Sequence, residues 1–75
     1  MADDLDIQIG RNLRTLRKMA GYSQSEMAEH LCVTYQQFQK YETGANRISA
    51  GSLWRISQKL KVPMEMFLAD GIFQK

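Results

Sequence analysis

The 75-residue chain is long enough for one small domain and too short for two. Its composition, 44% hydrophobic and 24% charged, is that of an ordinary globular protein and does not suggest disorder outside the ends of the chain. The formal net charge is only +2, and no apolar run approaches the roughly 18 residues that a membrane-spanning helix requires.

The first predicted element is a helix from about Ile7 to Ala20. Its apolar face repeats at spacings of four, three and four residues and consists of Ile9, Leu13, Leu16 and Ala20. Gly21 is expected to end this helix. Residues 1–6 are acidic and are predicted to form an N-terminal tail, which also argues against a secretory signal peptide.

The second and third predicted helices each open on a capping signal. In "SQSE", Ser23 is the expected cap and Glu26 returns a bond to it, which together form a capping box. In "TYQQ", Thr34 is the cap and Gln37 is expected to return the bond. The residues predicted to face inward are Met27, Ala28 and Leu31 in the second helix, and Phe38 and Tyr41, with Glu42 nearby, in the third.

Two further helices are expected before the end of the chain. The fourth begins near Ser49 and buries Leu53, Ile56 and Leu60, with Trp54 beside them. The fifth is short and runs from about Pro63 to Ala69, with proline in the first turn, where its missing N–H is harmless. No strand, repeat or long linker is evident, so the sequence predicts one all-α domain.

Only Cys32 and Val33 separate the second helix from the third, so the two must cross at a steep angle, as in a helix-turn-helix. The stretch "GYSQSEMAEHLCVTYQQFQKYETGANRISAGSL" resembles the DNA-binding domain of the Cro and lambda-repressor superfamily, the xenobiotic-response-element type of bacterial and phage regulators. The lead-in "LRTLRKMAGYSQ", the helix end "YETG" and the closing "LKVPMEMFL" extend the likeness from Ile9 to Leu68. The resemblance implies a compact five-helix domain over residues 7–70, followed by a C-terminal tail, 71–75.

The resemblance also implies that the third helix, 34–42, reads base edges in the DNA major groove. The family's base-reading positions fall here on Tyr35, Gln36 and Lys40, with Gln37 and Gln39 beside them. Glutamine can pair with adenine through two hydrogen bonds, and lysine can donate to guanine. Gln36 and Lys40 lie about 40° apart around the helix and oppose Phe38. The alternative for this face is a solvated helix surface.

Phosphate contacts are expected on both sides of this helix. By resemblance, Gln24 in the first turn of the second helix binds the DNA backbone; the less favoured alternative is a plain helix-opening residue. The other expected phosphate ligands are Thr43, Asn46, Arg47 and Arg17. Arg47 can instead be a surface charge. The resemblance further implies a structural ion pair between Arg17 and Glu42, while Arg11 and Arg14 are weaker phosphate candidates.

The positive charge is concentrated in the middle of the chain. Between Arg11 and Lys61 there are nine Lys or Arg residues and three acidic residues, a surplus of six positive charges. Such a surplus is compatible with a polyanionic partner and also with a solvated surface.

Cys32 occupies a turn position where the family usually has glycine. Because that position is left-handed, we expect either a mildly strained cysteine or an altered turn. A tolerated small side chain is favoured over a redox-sensing thiol, since no neighbouring cation or second cysteine in the segment activates it. With His30 as the sole histidine, the sequence predicts no metal site, cofactor, small-molecule ligand or catalytic constellation.

These observations predict a cytoplasmic, sequence-specific DNA-binding transcriptional regulator, expected to be a repressor and not an enzyme. A homodimer on a pseudo-palindromic operator is expected, with half-sites about 34 Å apart. The apolar residues that either form the dimer contact or pack in the core are Trp54, Met64, Met66, Phe67, Ile72 and Phe73. The alternative function is an antitoxin-like or adaptor module that uses the same fold to bind a protein.

Overall fold

The computed structural model describes residues 3–69, which form four α-helices and one 3₁₀ turn and contain no strand. The helices are α1 (Asp4–Ala20), α2 (Gln24–Leu31), α3 (Tyr35–Thr43) and α4 (Ala50–Leu60), and the 3₁₀ turn is Met64–Leu68. The all-α class is confirmed, but the predicted fifth helix is the 3₁₀ turn. Within these residues no helix is long and apolar enough to cross a membrane.

Helix α1 begins three residues earlier than the sequence predicts. Asp3 is its N-cap, and the Asp3 Oδ1 atom accepts a hydrogen bond of 2.9 Å from the backbone N–H of Asp6. Acidic side chains are favourable in a first helical turn, where they face the positive end of the helix dipole. Residues 4–6 therefore belong to α1, whereas the predicted tail 71–75 lies outside the described residues.

Local signals set the ends of the next helices. The predicted capping box is present: the Ser23 hydroxyl accepts from the Glu26 N–H at 3.0 Å, and the Glu26 carboxylate accepts from the Ser23 N–H at 2.8 Å. That second bond lowers the pKa of Glu26. The hydroxyls of Thr34 and Ser49 cap α3 and α4 by accepting from the N–H groups of Gln37 and Ser52, without a returned bond. Gly21 and Gly44 end α1 and α3 in the left-handed conformation.

One predicted capping bond is wrong. The side chain of Gln37 does not return a bond to Thr34, and its Oε1 atom accepts instead from the amide of Asn46 at 3.4 Å. Asn46 is within reach because its own backbone N–H donates to the Lys40 carbonyl at 3.2 Å, which folds the following loop back over α3.

The core is assembled from the predicted apolar faces. Its buried members are Leu13, Leu16, Met27, Ala28, Leu31, Phe38, Leu53, Ile56, Leu60 and Phe67. Ala20 was assigned to this core wrongly: it is exposed, because α1 ends there and the chain turns at Gly21. Phe67 is fully buried and therefore packs in the core, which excludes it from a dimer contact.

Two glycines allow the backbones of α1 and α3 to touch. A Cβ atom on Gly10 would lie 2.6 Å from the carbonyl oxygen of Glu42, and one on Gly44 would lie 2.7 Å from the Cα atom of Ile7. Any larger residue at position 10 would push the two helices apart. This contact was not predicted, since nothing in the local sequence around Gly10 marks it.

Two amide side chains of α1 hold the 3₁₀ turn in place. The Nδ2 atom of Asn12 donates to the carbonyls of Phe67 and Ala69, each at 2.8 Å. The Nε2 atom of Gln8 donates to Leu68 at 3.1 Å and to Ala69 at 2.8 Å. These bonds satisfy carbonyls that a single 3₁₀ turn leaves without partners, and they keep Phe67 in the core.

Of the two alternatives for the turn between α2 and α3, a strained cysteine or an altered turn, the structure has the strained cysteine. Cys32 has φ 58° and ψ 41°, in the left-handed region, and its N–H donates to Glu29 at 3.1 Å. A side chain is disfavoured in this conformation by contact between Cβ and the backbone.

Replacing Cys32 by glycine is therefore expected to raise the free energy of unfolding by about 1 kcal/mol. Urea titration followed by circular dichroism measures the change. Cys32→Ala is the matched control, because alanine removes the thiol but keeps the Cβ atom. A glycine variant no more stable than the alanine variant would show that residue 32 is not strained.

Candidate nucleic-acid interface

The side of α3 that turns away from the core carries the predicted base-reading residues. Tyr35, Gln36 and Lys40 are exposed, with Tyr35 at 44%, and Gln37 and Gln39 are partly exposed. We call these five residues the reading face. Phe38, on the opposite side of the helix, is fully buried. The structure thus presents a polar helix face to solvent.

Aromatic packing fixes which side of α3 points inward. The rings of Phe38 and Tyr41 meet edge to face, with their centroids 6.4 Å apart. This arrangement is the favourable one for aromatic quadrupoles. Because Phe38 is enclosed by the core, α3 cannot rotate about its axis without exposing it.

A buried ion pair joins α1 to the end of α3. Arg17 donates from Nε to the Oε2 atom of Glu42 at 2.6 Å and from Nη2 to Oε1 at 3.2 Å, and its Nη1 atom donates to the Tyr22 carbonyl at 2.8 Å. The side chains of Arg17 and Glu42 are only 8% and 2% exposed. All three nitrogens of Arg17 are thus engaged, which favours its structural role over the predicted phosphate contact.

Gln24 extends the same network to α2. Its Nε2 atom donates to the Oε1 atom of Glu42 at 2.8 Å, so a single carboxylate links α1, α2 and α3. A phosphate contact by Gln24 would therefore use its backbone N–H or its second amide hydrogen. The sequence did not predict this bond.

A polar cleft lies where the reading face meets the start of α2. Its volume is about 530 Å³, and it opens to solvent. The residues that line it are Arg14, Arg17, Ser23, Gln24, Ser25, Tyr35 and Gln39. The structure thereby brings the exposed Arg14 together with Gln24 and the reading face. From the sequence, Arg14 was a weaker candidate because a solvated helix face was about as good an explanation for it.

The predicted phosphate ligand Arg47 is bound to acidic residues of α1 and its cap. Its Nε atom lies 3.1 Å from Asp6 Oδ1, and its Nη2 atom lies 2.9 Å from Asp3 Oδ2. Hydrogen bonds to Asp6 raise the pKa of Arg47, and the pKa of Asp3 is lowered by the backbone N–H of Asp6 and also by Arg47. These pairs were missed because residues 1–6 were assigned to a tail.

The remaining predicted phosphate ligands lie just beyond the reading face. Thr43 and Asn46 are both exposed. The Thr43 hydroxyl donates to the Lys40 carbonyl at 3.3 Å, and Asn46 binds Gln37. Both side chains therefore order the end of α3 and the loop after it.

A second, more apolar groove lies on a different part of the surface. It is lined by His30, Cys32, Trp54, Arg55 and Gln58, and Trp54 is 53% exposed.

Of the other apolar residues considered for a dimer contact, Met64 and Met66 are partly buried against the core, while Ile72 and Phe73 lie outside the described residues. Within residues 3–69 no group of His, Cys, Asp and Glu is placed to hold a metal ion.

Replacing Glu42 by glutamine is expected to lower the free energy of unfolding by about 3–5 kcal/mol, because the buried Arg17 loses its counter-charge. Urea titration gives the value. Gln24→Ala is the control: it removes one hydrogen bond to the carboxylate and should cost about 1.5 kcal/mol. Equal losses in the two variants would show that the charge of Glu42 is not what matters.

The fold and the local sequence both have counterparts among known proteins. The family model described as Helix-turn-helix matches residues 13–67. A solved structure of the clp gene regulator ClgR from Corynebacterium glutamicum superposes with a TM-score of 0.82 at 24% identity, over 91% of this chain and 72% of that one. The master regulator for biofilm formation SinR, solved in complex with DNA, gives a TM-score of 0.72 at 31% identity, over 81% and 98% of the two chains.

Curated relatives are more similar in sequence. An uncharacterized HTH-type transcriptional regulator from Sinorhizobium medicae (strain WSM419) is 47% identical over 66 residues, which are 88% of this chain and 48% of the relative. An uncharacterized transcriptional regulator from the ATPase CF(0) region of Rhodospirillum rubrum is 39% identical over 66 residues, 88% of this chain and 61% of that one. The chain thus spans about half the length of the first of these relatives. It belongs to the Cro and lambda-repressor type of helix-turn-helix family, and both of these relatives are described as transcriptional regulators.

Proposed function

We propose that this protein is a sequence-specific DNA-binding transcriptional regulator that inserts α3 into the major groove. One observation carries the proposal: the residues of the reading face point to solvent, while Phe38 and Glu42 hold the opposite side of α3 in the core. A major groove about 12 Å wide admits one α-helix. The shape and the exposed chemistry of α3 fit that groove.

The proposed base contacts follow from the side chains. The amide of Gln36 has one donor and one acceptor side and can pair with adenine N6 and N7. The ammonium of Lys40 can donate to guanine O6 and N7. Tyr35, at the start of α3, is suited to a thymine methyl group or to a phosphate. Gln37 and Gln39 lie at the flanks of the helix.

The cleft at the start of α2 is the proposed phosphate site. The capping box of α2 uses the N–H groups of Ser23 and Glu26. Those of Gln24 and Ser25 remain to bind an anion at the positive end of the helix dipole. Arg14 supplies a cation beside them, and Gln24 and Ser25 supply polar hydrogens. Because Tyr35 and Gln39 line the same cleft, a phosphate bound there would set the register of α3 in the groove.

A homodimer on a pseudo-palindromic operator is the proposed binding form, and repression is the proposed outcome. One short helix reads only a few base pairs, so two copies on adjacent half-sites supply the needed affinity. Trp54, which is exposed, is the proposed contact between copies. The similarity to SinR, solved in complex with DNA at 31% identity, supports the DNA-binding part of the proposal.

Selection of bound duplexes from a random pool tests the proposed function. We expect a two-fold symmetric consensus. The logarithm of the affinity for it should fall linearly with the logarithm of the salt concentration, with a slope of about −0.9 per neutralised phosphate. A tight stoichiometric complex with a protein partner, together with weak and unselective DNA binding, would instead favour the antitoxin-like or adaptor function.

Gln36→Ala and Lys40→Ala are each expected to relax base preference at one position by about 1–3 kcal/mol. Competition binding against a panel of singly substituted duplexes measures this preference. Glu65→Ala, at an exposed residue of the 3₁₀ turn, is the control and should leave the preference unchanged. An equal loss of affinity on every duplex would count against base reading by Gln36 and Lys40.

A further inference from the structure

Three charged side chains tie the start of α1 to the loop after α3. Asp3, Asp6 and Arg47, which we call the Arg47 cluster, share hydrogen bonds of 2.9–3.4 Å. The side chain of Asp6 is 8% exposed, whereas that of Arg47 is 72% exposed. Arg47 thus neutralises a nearly buried carboxylate.

The charge balance of the Arg47 cluster does not favour a phosphate. Two carboxylates surround one guanidinium, so the cluster carries a net negative charge, and a DNA phosphate nearby would be repelled. Transfer of Arg47 to a phosphate would also leave Asp6 buried without a counter-charge, which is strongly unfavourable. Arg47 is therefore poorly suited to the phosphate contact that the sequence predicted.

The loop that Arg47 holds is connected to the reading face. Gly44 packs against the backbone of Ile7, which places the loop directly on α1. The next-but-one residue, Asn46, donates from its backbone to Lys40 at 3.2 Å and from its side chain to Gln37 at 3.4 Å. Arg47 follows Asn46 in the chain, so its position determines where Asn46 can lie.

We propose that Arg47 is a positioning residue that remains bound to Asp3 and Asp6 on DNA and orders the Asn46–Gln37 contact on the reading face. The inference rests on the proposed function of α3. It assigns a role to the acidic start of α1, and it replaces the predicted phosphate role of Arg47. The residues of the Arg47 cluster then affect DNA binding without touching DNA.

The direction in which Asp6→Asn changes the DNA affinity distinguishes a positioning role of Arg47 from a phosphate-binding role. If Arg47 is a positioning residue, Asp6→Asn loosens the loop and lowers the affinity for the selected duplex, by about fivefold. If Arg47 binds phosphate, Asp6→Asn releases it and raises the affinity. Asp4→Asn is the matched control, because Asp4 is an exposed acid in the same helical turn and is outside the cluster. It reports the general effect of removing one negative charge.

The salt dependence gives a second readout. Arg47→Ala should lower the affinity while leaving the slope of log affinity against log salt unchanged, and Arg47→Lys should not restore binding, because an ammonium cannot bridge both carboxylates. A slope reduced by about 0.9 in Arg47→Ala, or full rescue by lysine, would overturn the proposal.

Thermal unfolding confirms that each variant is folded at the assay temperature. If Asp6→Asn is not, Asp3→Asn takes its place, since asparagine caps a helix as well as aspartate does. A wild-type protein that binds no duplex would refute the proposed function itself. A wild type that binds, with the Asp variant binding more tightly than Asp4→Asn, would refute only the role of Arg47.

Discussion

The position of α3 depends on one buried carboxylate, that of Glu42. It accepts hydrogen bonds from Arg17 of α1 and Gln24 of α2 while it is itself part of α3. A negative charge in the last turn of a helix is unfavourable, because it lies at the negative end of the helix dipole. Burial makes the negative charge of Glu42 still more unfavourable. The guanidinium of Arg17 compensates both effects, and three helices meet at a defined point.

Contacts on the inner side of α3 determine which of its sides is exposed. Glu42 holds the end of the helix, Phe38 fills the core below its middle, and Gly10 lets α1 approach its last carbonyls. With three contacts on one side, the opposite side is ordered before any ligand arrives. A helix ordered in advance loses less conformational entropy on binding. The polar residues of the reading face are therefore presented in a set arrangement.

Signals within a few residues were readable from the sequence, and contacts between distant residues were not. The caps at Ser23 and Thr34 were predicted because cap and partner lie three residues apart. By contrast, the bonds between Asn12 and Ala69, or Asp6 and Arg47, join residues more than 40 positions apart, and no local pattern encodes them. The 3₁₀ turn was predicted as a helix because five residues are too few to show a helical period. The resemblance supplied the Arg17–Glu42 pair, which spacing alone does not give.

The most direct test of the account is a nuclear magnetic resonance titration of the ¹⁵N-labelled protein with its selected duplex. Insertion of α3 into the major groove predicts the largest shift changes in residues 35–40, including the side-chain amides of Gln36 and Gln39, and in the first turn of α2. Unchanged resonances in residues 35–40, with shifts concentrated around the groove of Trp54 and Gln58, would contradict it.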